Sequence, residues 1–120
     1  MNLTVLLVLF AIAVGLHLPP NVEAFECPKH FKEAQAAIDK VKGDMGGDMS
    51  KMMKKEDMAL VHALLDDAKM FLASAKHNHE KPQGRYDHAR AIAKADSARG
   101  YAVAADIFHW KLMGKMKKMK

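Results

Sequence analysis

HARAIAKADSARGYAVAADIFHWKLM (residues 88–113) decides the fold. Read in alternating steps of three and four, it yields His88, Ala91, Ala95, Ala98, Ala102, Ala105, His109 and Leu112, and the stripe continues to Met116 and Met119. That spacing lays a narrow seam of small apolar residues along one face of a helix. Alanine in the seam lets a partner helix approach closely. Imidazoles stand at two places on it, and thioethers follow the second.

Working outward, two more helices are predicted. Upstream, Met58, Val61, Leu65, Ala68, Leu72 and Ala75 form a matching stripe over Glu56–Lys76, which extrapolates to His79. The linker HNHEKPQG breaks the chain at Pro82 and Gly84. A first helix over Pro28–Lys42 carries Phe31, Ala34, Ile38 and Val41 inward, with Met45 just beyond, and proline suits its first turn. Gly43, Gly46 and Gly47 end it. Residues 43–55 (GDMGGDMSKMMKK) read as a flexible methionine-rich connection, helical from Ser50 at the earliest. Strand signals are nearly absent. The expected fold is all-α: a small bundle on a long antiparallel helical hairpin, with three helices, or four if Gly100 divides the last segment.

The 120 residues divide into a leader and one domain. Leu3–Leu18 is apolar except for Thr4, Gly15 and His17, and is short of the roughly 20 residues a membrane span needs. Pro19-Pro20 and the small residues Val22 and Ala24 follow, as before a signal-peptidase cut. Residues 1–24 therefore read as a signal peptide and 25–120 as the domain, with a periplasmic or secreted destination. The amino-terminal segment lacks Lys and Arg, so an uncleaved anchor is the alternative. The formal charge is +5, but Lys111, Lys115, Lys117, Lys118 and Lys120 crowd the tail without stacking aromatics, which argues against nucleic acid. The tail, residues 111–120, separates lysines from methionines. It is either a solvated helix end or a face for an anionic membrane surface. A lone Cys27 cannot close an internal disulfide. It is a thiol, a metal ligand with His30, or a bridge to a second chain in a homodimer.

Two constellations carry metal chemistry. The first is His77, His79, Glu80, Asp87 and His88, gathered where the linker turns. Imidazole with carboxylate suits copper, nickel or zinc; the alternative is a solvated interhelical loop. Coordination needs neutral imidazole, so binding weakens below the reference value of about 6.5. The second lies at the other end. A hairpin turning at residues 81–82 places Met53 opposite Trp110 and Met49 opposite Gly114. Met45, Met49, Met52 and Met53 then approach His109, Met113 and Met116. Thioether with imidazole favours Cu(I); the alternative is that methionine fills the core, as expected for Met58, Met70 and Met116. His62 and Asp66 form an i,i+4 pair, either half a metal site or an exposed ion-pairing face. No HExxH, GxSxG, phosphate loop, paired CxxC or CxxCH occurs. The expectation is a protein that is not an enzyme and that buffers, stores or delivers a transition metal, copper foremost. Its rivals are a non-covalent haem or electron-transfer bundle, with His109 and Met53 or Met49 as axial pair, and a membrane-surface protein using the tail.

With its leader, its size and its Ala-rich helices opening on His, HALLDDAKMFLASAKHNH and DHARAIAKADSARGYA, the chain resembles the bacterial small metal-binding protein family over about residues 57–110. That resemblance implies an exported His-rich helical bundle binding copper and other divalent metals, with His62, His77, His79 and His88 as the matching positions. The chain departs from it in having fewer histidines, many methionines and one cysteine, which moves the expected preference toward copper.

Overall fold

The computed structural model describes residues 22–84 and 86–118, so the apolar leader lies outside the described residues. Three helices follow one another: α1 Val22–Met45, α2 Lys55–Glu80 and α3 Asp87–Lys118, with a 3-10 turn at Asp48–Met52 between the first two. No strand occurs among the described residues. The fold is a small all-α bundle. α2 and α3 form the hairpin, and α1 packs chiefly on α3 and less on α2.

The core follows the stripes. α1 buries Ala34, Ile38 and Val41; α2 buries Val61, Leu65, Ala68, Leu72 and Ala75. α3 buries Ala91, Ala95, Ala98, Ala102 and Ala105, each 0% exposed, before reaching His109, Leu112 and Met113. The bulk of the core thus comes from α1 and α2, and α3 supplies the flat surface both rest on. Phe31, Met45, Met53, Phe71 and Phe108 pack on its margin.

Several expectations change. α1 begins at Val22, so Pro28 sits inside it and the helix runs through the predicted cleavage point after Ala24. α3 is one helix, undivided by Gly100. The connection after α1 is an ordered turn, closed by Ser50 N–H to Gly47 O (3.1 Å) and Met53 N–H to Ser50 O (3.1 Å). Ser50 lies in a helical turn, but Met53 and Lys54 are extended, so α2 starts at Lys55, one residue before the expected Glu56, and runs on to Glu80. Met70 is 58% exposed rather than core: it falls two positions after Ala68, off the inward stripe. Met58 is half-buried, and the side chain of Met116 lies outside the described residues. The hairpin turn lies later than residues 81–82, so partners on α3 shift later too: Ser74 receives a hydrogen bond from Lys94 (2.7 Å), and Phe71 stacks on Tyr101 at 5.3 Å.

Polar clamps fix α1 on α3. His30 Nδ1 donates to Asp96 (2.6 Å), and Lys40 Nζ lies 2.7 Å from both Asp44 and Asp106. The hydrogen bond to Asp106, then that to Asp44, raises the Lys40 ammonium above its usual range. The Lys40 hydrogen bond holds the Asp44 carboxyl below its ordinary value, against the opposing effect of desolvation. A lowered carboxylate contributes stability that is present above the unfolded value of about 3.9 and lost as pH falls through the folded one. A raised ammonium contributes stability present below about 10.4 and lost as pH climbs through the folded value. Lys40→Met is therefore expected to flatten both limbs of a urea-midpoint profile against pH. Limbs unchanged from the parent would show that the clamp contributes nothing.

A Cβ added at Gly100 meets no atom within 4 Å. Gly100→Ala is expected to stabilise the bundle by about 0.5–1 kcal/mol through helix propensity, read as a higher urea midpoint at unchanged slope.

Candidate metal centre

Where the helices meet at one end of the bundle, Cys27, His79 and His88 come together. One donor atom from each lies within 4.8 Å of the others. Each helix supplies one ligand: α1 the thiol from its second turn, α2 an imidazole from its last turn, α3 an imidazole from its first. Cys27 is 0% exposed and both histidines are half-buried. The Cys27 thiol donates to the His88 carbonyl at 3.5 Å. The Nδ1 atoms of His79 and His88 are buried, and no hydrogen bond reaches either. Buried polar atoms are normally satisfied; these two imidazole nitrogens are not, and they belong to histidines grouped with a thiol in a set that could hold a metal ion. The two rings meet edge-on at 5.3 Å, and Phe31 meets the His79 ring edge-on at 5.4 Å, forming an apolar wall.

The surroundings hold the set in place. Asp87 opens α3, and its carboxylate accepts from Gln83 N–H (2.5 Å) and from Arg90 (3.0 Å). The Gln83 N–H, more than Arg90, holds its carboxyl below the usual range. Lys94 reaches from α3 to Ser74 and Asn78 on α2. The hairpin end that carries both histidines is thus tied on both sides.

Of the residues predicted for this end, His79 and His88 converge. His77 does not: it is exposed, because two residues along a helix turn a side chain some 200° away. Asp87 is occupied with the linker and Arg90. Cys27 enters instead. Its i,i+3 neighbour His30 is engaged with Asp96, and Cys27 is completely buried, so that a bridge to a second chain would require opening the bundle. Sequence reading offered Cys27 as a ligand only with His30 and did not join it to His79 and His88, because those partners lie over fifty residues away. The available signal was that Cys27 prolongs the inner stripe of α1, in steps of four and three, through Phe31 and Ala34.

At the other end, the Met45–Met53 segment does reach His109, but through Ser50. Ser50 Oγ lies 2.8 Å from His109 Nε2. Met113 is buried, Met53 half-buried and Met52 exposed; the side chains of Met49 and Met116 lie outside the described residues. His62 is exposed beside a groove lined by Met45, Met58 and Leu65, while Asp66 bonds Lys69 (3.0 Å), so that pair gathers no further ligand.

Among the described residues no helix is long and apolar enough to cross a membrane. No protein-family model, curated protein or solved structure matches this chain.

Proposed function

We propose that this chain is a transition-metal-binding protein, acting in buffering, storage or delivery of copper after export and without catalysis. The observation that carries this reading is the Cys27, His79, His88 triad with its two buried, unpartnered imidazole nitrogens. One soft thiolate and two imidazoles suit Cu(I) and Zn(II) and give little to hard cations. A closed structural zinc site takes four protein ligands; this group has three, a number Cu(I) accepts. Binding displaces the thiol proton, and Cys27 then acts as thiolate. The resemblance to exported metal-binding bundles and the signal-like leader support placement in the periplasm or outside the cell.

The test is anaerobic titration of the reduced, untagged protein with Cu(I), and separately with Zn(II), against a chromophoric chelator. Cu(I) is expected to produce thiolate-to-metal absorption in the near ultraviolet. Cys27→Ser is expected to abolish that absorption. His77→Ala is expected to leave it and the affinity intact, because His77 stands outside the group. Absorption that survives Cys27→Ser, or depends on His77, would refute this assignment.

A further inference from the structure

The end of the bundle away from Cys27 holds a histidine that the triad does not use. His109 is 1% exposed, the largest of the fully buried side chains among the described residues. Its Nε2 lies 2.8 Å from Ser50 Oγ, and the same Oγ lies 3.1 Å from the carbonyl oxygen of Asp44. A hydroxyl has one hydrogen, and a carbonyl oxygen only accepts. Both contacts are satisfied when Ser50 donates to Asp44 and accepts from His109 Nε2–H. That assigns His109 the tautomer whose Nδ1 carries a bare lone pair. The Nδ1 atom is buried and has no hydrogen-bond partner. One imidazole nitrogen anchored on a protein oxygen, with the other presented as a lone pair, is the arrangement of a metal-ligating histidine.

Met113 stands one turn further along α3 and is 8% exposed. Helical side chains lean toward the N-terminus, so residue i+4 lies over residue i on the same face. The Met113 thioether therefore lies on the same face of α3 as His109, one turn along. The other electron-rich groups on this side are Asp44 and Asp106. Lys40 lies 2.7 Å from both carboxylates and offsets one of their two negative charges, and Asp106 Oδ1 has no partner of its own. A neutral imidazole with a neutral thioether suits a soft monovalent ion. The thioether is the discriminating ligand, since soft sulfur selects Cu(I) whereas imidazole alone also suits divalent ions.

We infer that His109 Nδ1 and the Met113 thioether form a second metal site, selective for Cu(I). It stands about 30 Å along α3 from the His88 end. This inference does not depend on the triad, and the two sites have separate reporters. Trp110 is the only tryptophan in the chain, and its ring lies 5.5 Å from that of His109. Its fluorescence reports the second site, whereas thiolate absorption reports the first.

The experiment titrates the full chain with Cu(I) under reducing conditions while following Trp110 emission. Quenching is expected to saturate with one equivalent in Cys27→Ser and to reach the same depth in the parent, which takes up a second equivalent at the triad, and Zn(II) is expected not to reproduce it. Met113→Leu conserves volume and is expected to keep the helical circular dichroism while weakening the quenching transition by more than about tenfold. In the nitrogen spectrum of the imidazole, the Nδ1 resonance of His109 is expected to move while Nε2 keeps its proton. Quenching unaffected by Met113→Leu would overturn the proposal. So would quenching lost in Cys27→Ser, which makes the sites one. Loss in Asp106→Asn with Met113→Leu unaffected would also overturn it, replacing the soft site by a carboxylate one.

Discussion

Cu(I) added at about 100 times its dissociation constant is expected to raise the unfolding free energy of the reduced protein by about 2.7 kcal/mol. The reason is topological. The three ligands come from three different helices and meet only in the folded bundle, so the ion binds the native state and has no comparable site in the unfolded chain. For a domain of this size each kcal/mol moves the melting temperature by roughly 4–8 °C, so the effect is readily measured by circular dichroism with and without metal. Cys27→Ser is expected to remove the triad's contribution, since an alcohol is a poor ligand for a soft ion. The His79→Gln, His88→Gln double variant is expected to do the same. His77→Ala is expected to keep the full shift. A metal-dependent shift that persists in Cys27→Ser and vanishes in Met113→Leu would assign the stabilisation to the His109 end instead.

Leu65→Ala is expected to destabilise the bundle by about 2–5 kcal/mol. Leu65 is 2% exposed and lies on the inward stripe of α2, in one core cluster with Ile38, Val41, Ala98 and Ala102. Because α3 presents alanines over most of its length, it has no side chain long enough to fill the space that Leu65 leaves. Chemical denaturation, with midpoint and slope fitted together, measures the effect. A loss under about 1 kcal/mol would mean that α1 and α2 collapse onto the alanine seam, so that the seam does not hold them at a set distance. Metal affinity is expected to survive the substitution wherever the protein remains folded, since Leu65 lies four turns from His79.

Helical periodicity determined most of the architecture. Each of the three inward stripes runs at 3.6-residue spacing, a property of local sequence, and the stripes named from spacing alone supplied most of the residues that are buried, though not Cys27, Ser50, Asp87 or Met113. Pro82 and Gly84 placed the hairpin turn to within a few residues for an equally local reason. Two histidines of the candidate site, His79 and His88, were legible because the linker joining them is short. What the chain alone did not reveal depends on contacts between distant segments. Cys27 joins His79 and His88 only because α1 packs on α3 in one register, and that register is set by the alanine seam together with the His30–Asp96 and Lys40–Asp106 clamps. His77 and His79 look equivalent in one dimension, and the 100° turn per residue separates them. Ser50, neither apolar nor a usual ligand, gave no signal at all. The tertiary structure places its hydroxyl between Asp44 and His109, and so decides which nitrogen of a buried imidazole is left bare.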